Sequence, residues 1–339
     1  NFPKDYSTVF NKVEINSRMW NNQSYFIRTK RISLPLTEKP FELNELKNIQ
    51  AECNKLGIRW FVLPIDPKKN KKFLRYALKL LNEIDEIFIN ILCIKDKKVN
   101  FGVLNDSVKL IKKVARISPN GKDNFRLGLS TNICCNCPFF PFSYSSGDLS
   151  FSIALELTQE INRIIDSEKK LSLVELRKIG VSDFGKSGTL FATAYLTNIL
   201  KYFSTLYKNV GFSGVMYSLL EDFELCTLNN DNGVKLEEMI KLSTMCGCGI
   251  DMIPISEDTE DGKIKTAIMD IYGISSKLNK PLGVRFLPIP RTSSNGTFYT
   301  NFNENSDFIA NTKVLSLSNN CIDINELKKF EFIDVNTNI

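Results

Sequence analysis

Strand-like and helix-like patterns alternate along most of the chain, and this alternation restricts the fold more than any other feature of the sequence. Between the strand-like runs, apolar residues recur at helical spacing, as in Phe73, Ala77, Leu80 and Ile84. Repeated strand–helix units predict an α/β fold with a mainly parallel sheet and outer helices. The runs that predict buried strands cover residues 24–33, 59–63, 87–91, 125–129, 214–219, 250–255 and 282–287.

The whole chain is expected to form one domain. No Pro/Gly-rich linker long enough to separate two folding units interrupts its 339 residues, and a chain of this length can bury one large core. We therefore predict a single α/β domain over residues 1–339, in which the polar stretches 1–22 and 325–339 are peripheral extensions.

The chemistry open to this chain is limited by its composition, which includes no histidine. A Ser-His-Asp triad, a Cys-His dyad and a His-ligated metal are therefore excluded. Acid–base catalysis would fall to Asp, Glu, Lys, Tyr or Cys. An odd number of cysteines, nine, and the lack of a secretory signal pattern in the first residues predict free thiols in a cytoplasmic protein.

Charge and hydropathy argue against nucleic-acid and membrane partners. The net charge is only +6, and the densest basic run, residues 68–72 (KKNKK), is typical of a solvated turn. No signature of a nucleic-acid-binding module accompanies it. No window of the sequence approaches the roughly 18 consecutive apolar residues of a membrane span. We expect neither nucleic acid nor a membrane as a partner.

Several separated segments carry a family resemblance. Residues 242–255 (LSTMCGCGIDMIPI) are similar to a helix end and the following strand in the DUF711 family, also called UPF0210, and residues 256–259 (SEDT) resemble its acidic element after that strand. Residues 283–290 (GVRFLPIP) resemble a later strand of the family and residues 211–219 an earlier one. Residues 136–141 (NCPFFP) resemble a loop of its archaeal-type branch. The resemblance implies a family without an assigned activity.

The resemblance also implies a fold. DUF711 proteins resemble the pyruvate formate-lyase-like glycyl radical enzymes, whose parallel sheet closes into a ten-stranded α/β barrel with outer helices. Two departures limit what else is implied. Residues 296–305 lack the double glycine that family members carry beyond the strand at residues 283–290, and the chain has no Arg-Val-x-Gly-Tyr motif of the kind that holds a glycyl radical. The resemblance therefore does not extend to radical chemistry.

A cluster of three cysteines follows one predicted strand. Cys134, Cys135 and Cys137 lie just after residues 125–129, at the strand end where α/β barrels place their active sites. As a functional hypothesis, they supply a nucleophilic or redox thiol, or ligands for a soft metal ion. The commoner explanation of such a cluster is small buried residues that pack a crowded loop.

A second pair of cysteines precedes a later strand. Cys246 and Cys248 lie at the amino-terminal end of the strand at residues 250–255, the end that usually serves stability in barrels. Small residues permit a tight turn there, so turn packing is the favoured interpretation. If the two cysteine groups met in space, their five sulfurs would be able to bind a metal ion.

Asp251 and Arg285 are charged residues within apolar predicted strands. A carboxylate at such a position is costly unless it is paired or hydrogen-bonded, and Arg285 in the neighbouring predicted strand is a natural partner for Asp251. The pair would either line the barrel and bind a carboxylate or phosphate substrate, with Asp251 in acid–base catalysis, or form a structural salt bridge. The sequence favours neither.

Acidic and aromatic loops provide further candidate ligand-binding residues. Glu221 follows one predicted strand, and Glu257 and Asp258 follow another, so two acidic loops at one barrel mouth would be able to hold a divalent ion such as Mg²⁺ or Ca²⁺. Solvated loop charge is the alternative. Phe139 begins an aromatic loop that either walls a ligand or plugs the core. The sequence does not specify the metal or any other cofactor.

Two hypotheses about function remain open from the sequence. In the first, an enzyme acts on a small polar or anionic metabolite at the barrel mouth, with a thiol among the residues 134–137, Arg285 as anion anchor, and Asp251, Glu257 or Asp258 in acid–base or metal roles. In the second, the chain is a non-catalytic ligand-binding protein or a homo-oligomeric assembly protein, dimeric or larger, on an enzyme-like scaffold. The clustered thiols and the buried acid favour the first, and the altered glycine-rich stretch favours the second.

Overall fold

The structure is a computed structural model of the chain. It describes residues 7–23, 27, 29–70, 72–95, 98–135, 137, 139–146, 181, 183–206, 214–231, 233–293, 300 and 310–329.

Helices and strands alternate in the described residues, as the sequence predicts for an α/β fold. The helices are α1 Ser7–Asn22, α2 Leu43–Lys55, α3 Phe73–Glu83, α4 Phe101–Val114, α5 Thr189–Leu206, α6 Phe223–Asn230, α7 Leu236–Leu242, α8 Asp261–Lys277 and α9 Ile324–Lys329. The strands are β1 Arg31–Ser33, β2 Trp60–Ile65, β3 Ile87–Lys95, β4 Lys98–Val99, β5 Leu127–Thr131, β6 Gly249–Ser256 and β7 Leu282–Ile289. Within these ranges, no helix combines the length and the apolar character needed to cross a bilayer.

The prediction of a strand at residues 214–219 is wrong. Only Ser218 makes a strand-like bridge, to Asp251, and a short 3-10 helix follows at Leu219–Glu221. The next residue, Asp222, caps α6 by accepting hydrogen bonds from two backbone N–H groups of its first turn. The 3-10 helix takes the end of the predicted run, and Met216 within the run is 51% exposed, unlike a residue of a buried strand.

Two other predicted elements lie partly or wholly outside the described residues. The strand predicted at residues 24–33 is observed only at β1, and residues 24–26 and 28 lie outside the described part. The helix predicted around residues 153–164 also lies outside it.

The sheet consists of two groups of parallel strands that run in opposite directions. The strand order is β1-β2-β3-β5-β7-β6, and β4 pairs with β3. β1, β2, β3 and β5 are parallel to one another, as are β6 and β7, but β5 and β7 are antiparallel. Among the described residues, β1 and β6 do not pair with each other, so this part of the sheet is open. Its closure into a ten-stranded barrel remains a prediction.

The antiparallel junction decides which loops share an edge of the sheet. Because β5 ends where β7 and β6 begin, the loop carrying residues 134–137 lies on the same edge as Cys246 and Cys248. We call this the cysteine edge. Glu257 and Asp258 follow β6 and therefore lie on the opposite edge, beside the beginnings of β2, β3 and β5.

The two faces of the sheet are covered differently. One face packs alternate apolar side chains of the strands against helices α3, α4, α7 and α8. On the other face, the ring of Phe142 lies over Gly128 of β5 and Gly283 of β7, in the space that a side chain at either glycine would occupy. We call this second surface the loop-covered face. It carries the charged residues of the sheet interior.

Candidate active site

An irregularity in β6 brings an acid opposite an arginine. The pairing of β6 with β7 shifts register between Ile250 and Ile253, and Met252 has a left-handed backbone, with φ of 54°. Asp251 and Met252 together therefore stand opposite Arg285, as in a β-bulge. Such a bulge redirects a side chain, and here it aims the Asp251 carboxylate at the arginine of the neighbouring strand.

Arg285 lies at the centre of a buried polar cluster. Its Nε and Nη2 donate to the two carboxylate oxygens of Asp251, with 2.7 Å between Nη2 and Oδ2. Nη2 also donates to Oε1 of Glu221 at 3.0 Å, and Nη1 donates to the backbone oxygen of Phe125 at 3.2 Å. The guanidinium carbon lies 5.4 Å from the ring centre of Phe125 and 5.7 Å from that of Phe142. The arginine is therefore held in one orientation by polar and aromatic contacts.

The two carboxylates on this guanidinium have different environments. The side chain of Asp251 is 6% accessible, whereas that of Glu221 is 34% accessible. Burial and, next, the charge of Asp251 raise the pKa of Glu221 above its ordinary value, although Arg285 opposes this change. Burial alone would lower the pKa of Arg285, but the two carboxylates outweigh it and raise that pKa. Arg285 is therefore permanently charged, and Glu221 is the member of the cluster best placed to exchange a proton.

The hydrogen bonds of Arg285 are to neighbouring groups of the chain. Asp251 occupies both nitrogens of the fork that would otherwise receive a substrate carboxylate or phosphate. The remaining contacts of the guanidinium fix Glu221 and the backbone at Phe125. This arrangement joins Arg285, Asp251 and Glu221, three of the residues that the sequence singles out, in one cluster.

A buried amide on the same face has a donor without a partner among the described residues. Asn90 of β3 is fully buried and pairs with Gly128 of β5, beneath Phe142. Its Oδ1 accepts a hydrogen bond from Ser130, but its Nδ2 finds no hydrogen-bond partner in the part of the chain described above. Buried polar groups are nearly always hydrogen-bonded, so an unpaired amide on the loop-covered face is a feature that a bound polar group would explain.

The three cysteines after β5, which are Cys134, Cys135 and Cys137, do not form a single thiol cluster. Cys134 and Cys135 are exposed, whereas Cys137 is buried in a small apolar cluster with Ile133 and Phe142. Burial raises the pKa of Cys137 to about 11, which disfavours the reactive thiolate. Phe139 is half-buried and packs against the same cluster.

Cys246 and Cys248 are buried at a tight turn, and their sulfurs lie 3.3 Å apart. The prediction that they occupy the edge opposite the other cysteines is wrong, because β6 and β5 run in opposite directions. Nevertheless, no group of three or more cysteine, aspartate or glutamate side chains within the described ranges is arranged to hold a metal ion. The structure therefore gives the hypothesis of five sulfurs around a metal no support.

The acidic loop after β6 is engaged in local contacts. Glu257 accepts hydrogen bonds from Nε of Arg116 at 2.8 Å and from the backbone N–H of Arg291 at 2.9 Å. The bond from Arg291 and then that from Arg116 lower its pKa. Asp258 accepts a hydrogen bond from Ser256 at 2.6 Å. These contacts connect the loop to its neighbours and do not join it to Glu221.

Sequence reasoning singled out the aromatic loop that contains Phe142, but it did not connect that loop or Phe125 with Arg285. Phe125 precedes β5 and Phe142 follows it, so neither has a periodicity that points to a charged site. The signal for Phe142 was the absence of side chains at Gly128 and Gly283, which leaves space for its ring. Glu221 was predicted to bind a ligand, but its contact with Arg285 was not predicted.

Comparison with known proteins gives partial matches. Residues 170–300 match the family model described as Uncharacterised ACR (DUF711). A UPF0210 protein from Pyrobaculum arsenaticum is 28% identical over 126 residues, which are 37% of this chain and 28% of that protein. One from Lacticaseibacillus paracasei is 30% identical over 117 residues (34% and 26%). One from Sulfurisphaera tokodaii is 26% identical over 149 residues (43% and 31%).

The fold and the cluster define an α/β protein in which two carboxylates, one of them partly accessible, contact a buried guanidinium. Residues 170–300 therefore resemble the DUF711, or UPF0210, family, and the relatives matched are UPF0210 proteins. The chain aligns with only 26% to 31% of the length of these three relatives. The matched residues 170–300 contain Glu221, Asp251 and Arg285, whereas residues 134–137 lie outside them. Assignment to the archaeal-type branch remains a prediction, because archaeal and bacterial relatives match at similar identity.

Proposed function

We propose that this chain is an enzyme that acts on a small polar metabolite, with Glu221 as general acid and base and with Arg285 and Asp251 holding Glu221 in place. The unequal placement of two carboxylates on one guanidinium carries the proposal. Asp251 is buried and takes two donors of Arg285, whereas Glu221 takes one and keeps a third of its side chain accessible.

A purely structural ion pair does not explain the second carboxylate. A buried arginine needs one carboxylate to neutralise it, and Asp251 already supplies that charge. Glu221 adds a further acid whose pKa is raised by burial and by Asp251. A carboxyl group that is held through one oxygen, reached by solvent and shifted toward the protonated form is suited to accept and return a proton. Among the described residues, Nδ2 of Asn90 on the same face has no hydrogen-bond partner, which supports a polar ligand there.

The thiols of the residues 134–137 have no part in this proposed reaction. They lie at the cysteine edge, whereas Arg285 lies within β7.

We also propose that the sheet closes into a ten-stranded barrel. Two parallel groups that meet at an antiparallel junction suit such a barrel, which would place the loop-covered face and Arg285 on its inside.

The experiment compares two glutamate variants of the full chain. Purified protein is incubated with a panel of sugars, amino acids, small carboxylic acids and phosphate monoesters, and conversion is followed by mass spectrometry. The test variant is Glu221→Gln, which keeps an oxygen to accept from Arg285. The matched control is Glu224→Gln, because Glu224 is an exposed acid in the first turn of α6, only three positions away.

The proposal predicts that wild-type protein converts at least one compound of the panel. Glu221→Gln should lower kcat/KM by about 10²- to 10⁴-fold, the usual contribution of general acid–base catalysis, and Glu224→Gln should stay within about twofold of wild type. Conversion that survives in Glu221→Gln, or the absence of any conversion by wild type, would count against it.

Homo-oligomeric assembly is the second candidate, and helix α5 favours it. Phe191, Tyr195 and Tyr202 are exposed and recur at the spacing of one helical face, with 75% of Phe191 accessible. We call these three residues the aromatic stripe. The rings of Phe191 and Tyr195 stack with centres 6.3 Å apart. We propose that a second copy of the chain covers the aromatic stripe about a twofold axis, because such an axis brings one patch onto its own copy.

Native mass spectrometry tests the assembly. Wild type should be a dimer or a larger symmetric oligomer, and Phe191→Glu should dissociate it because the charge would be buried in the interface. Lys201→Glu is the control, since Lys201 belongs to the same helix but not to the aromatic stripe. A wild-type monomer, or an oligomer unaffected by Phe191→Glu, would contradict this candidate.

A further inference from the structure

The turn before β6 holds two thiols in direct contact. Sγ of Cys246 and Sγ of Cys248 are 3.3 Å apart, and both residues are buried, 1% and 5% exposed. A disulfide bond has sulfurs at about 2.05 Å, so a closure of about 1.3 Å would join them. The intervening Gly247 has no side chain to oppose that movement.

The surrounding backbone fixes this turn. The N–H of Gly247 donates to the carbonyl of Val215 at 3.0 Å. Gly249 has φ of +92°, and a side chain there would overlap the backbone of Gly283 in β7. Only glycine meets both requirements at low cost. The turn therefore holds the two cysteine side chains on the same side of the chain, facing each other.

The environment distinguishes the two thiols. Sγ of Cys246 shares a hydrogen bond with the thiol of Cys248 and accepts one from the backbone N–H of Tyr217, the latter at 3.2 Å. The bond from Cys248 is the main reason that the pKa of Cys246 falls to about 7. The same bond and burial raise the pKa of Cys248, and the charges of Asp251 and Glu221 add to this increase. Cys246 is thus the thiol of the pair that ionises more readily.

We propose that Cys246 and Cys248 are a redox modification site, at which a small hydroperoxide converts the two thiols into a reversible intramolecular disulfide. This inference does not depend on the proposed acid–base function, because it concerns other side chains and has a readout other than activity.

The reaction balances in two steps. The Cys246 thiolate attacks one oxygen of the hydroperoxide, so that the O–O bond breaks, and the protonated product is a sulfenic acid with hydroxide or alkoxide as leaving group. The sulfur of Cys248 then attacks Sγ of Cys246; its proton joins the departing hydroxyl as water, and the S–S bond forms. Two thiols are oxidised by two electrons and one peroxide is reduced. A thiol reductant reverses the change by thiol–disulfide exchange.

Other buried cysteines provide matched comparisons. Cys53, Cys93 and Cys226 are buried, and burial is the main cause that raises the pKa of each to about 12. Cys246 is equally buried, but its pKa falls because its sulfur touches that of Cys248. Burial alone therefore does not create a reactive pair.

The test treats the full chain with hydrogen peroxide and alkylates it under denaturing conditions. Trypsin then releases residues 242–263, in which Cys246 and Cys248 are the cysteines. We expect this peptide to lose two hydrogens and both alkylation sites after peroxide. Dithiothreitol added before alkylation should restore both sites. Methionine sulfoxide, which also forms, is not reduced by dithiothreitol, so the reversible part of the change belongs to the cysteines.

Variants separate the roles of the two thiols. Cys248→Ser should leave Cys246 with added oxygen and no bridge, whereas Cys93→Ser, the buried control, should form the bridge as wild type does. Far-UV circular dichroism checks the fold, and the wild-type peptide decides the outcome if Cys248→Ser does not fold. The proposal is overturned if residues 246 and 248 stay alkylatable when the exposed Cys134 has been oxidised, or if either bridges to a different cysteine.

Discussion

Replacing Asp251 by asparagine would leave the buried Arg285 without its closest counter-charge. Asparagine keeps the shape of aspartate, but its amide nitrogen would face a donor of the guanidinium. Removal of one partner from a buried ion pair costs about 3–5 kcal/mol, and Arg285 and Asp251 are 3% and 6% accessible. Glu221 remains 3.0 Å from Nη2 of Arg285, and its carboxylate compensates in part. We therefore expect a loss near the lower limit, about 3 kcal/mol.

The paired variant Glu221→Gln should behave differently. Glutamine still offers an oxygen to Nη2 of Arg285, the Asp251 pair stays intact, and no buried charge is left uncompensated. We expect the free energy of unfolding to change by no more than about 0.5 kcal/mol, as for most substitutions at accessible positions.

Urea unfolding measures both variants. The midpoint should fall in Asp251→Asn at an unchanged slope, which indicates a change in stability and not in the extent of unfolding. Equal losses in Asp251→Asn and Glu221→Gln would refute the reasoning, because they would make the two carboxylates equivalent. A loss below about 1 kcal/mol in Asp251→Asn would also refute it, since the pair would then lack the desolvation that its burial implies.

Three further predictions follow from the same contacts. Gly283→Ala should destabilise the protein by about 1–3 kcal/mol because its methyl group would overlap the ring of Phe142. The control Gly273→Ala lies in α8 with nothing within 4 Å, so it should be neutral or stabilising by up to about 1 kcal/mol. Equal effects of the two variants in thermal unfolding would contradict this. Cys137→Ser should cost about 1–3 kcal/mol and Cys134→Ser less than about 0.5, because only the first is buried, and chemical unfolding that ranks them in reverse would be inconsistent with the described loop. The stability of wild type relative to Glu221→Gln should be greatest below the unfolded-state pKa of glutamate, about 4.3. It should decline as pH rises through the raised folded-state pKa of Glu221. A relative stability that increases over that range would mean that folding lowers the pKa of Glu221.

The strands could be predicted from sequence because most of their residues are buried on both faces. β2, β3, β6 and β7 are nearly continuous apolar runs, and the observed strands contain or overlap the predicted ranges. The same criterion failed at residues 214–219, where Met216 is 51% exposed and a 3-10 turn begins at Leu219.

Strand direction could not be predicted, and it altered the arrangement of the loops. Thr131 of β5 and Leu282 of β7 are adjacent in the sheet, yet they are 151 positions apart in the chain. Repeated strand–helix units favour parallel neighbours, and periodicity contains no information on a pairing across so long a connection. As a result, the sequence correctly assigned Cys246 and Cys248 to the beginning of β6 but wrongly separated them from the edge that carries Cys134, Cys135 and Cys137.

The site was partly predictable for a physical reason. Asp251 and Arg285 lie in neighbouring apolar strands, and two opposite charges in such positions need each other. Glu221 joins them from a 3-10 turn, 64 positions before Arg285. Its approach depends on how that turn packs against β6, which no local sequence pattern specifies.

The protonation of Glu221 is the most direct test of the proposed site. The full chain, labelled with ¹³C at the side-chain carboxyl of glutamate, is titrated by NMR, and the resonance missing from Glu221→Gln assigns the residue. The account predicts that this carboxyl titrates above the ordinary value for glutamate, about 4.3, because burial and Asp251 disfavour its charge. A carboxyl that titrates at or below that value would make Glu221 an ordinary partner of Arg285 and would contradict its role as acid and base.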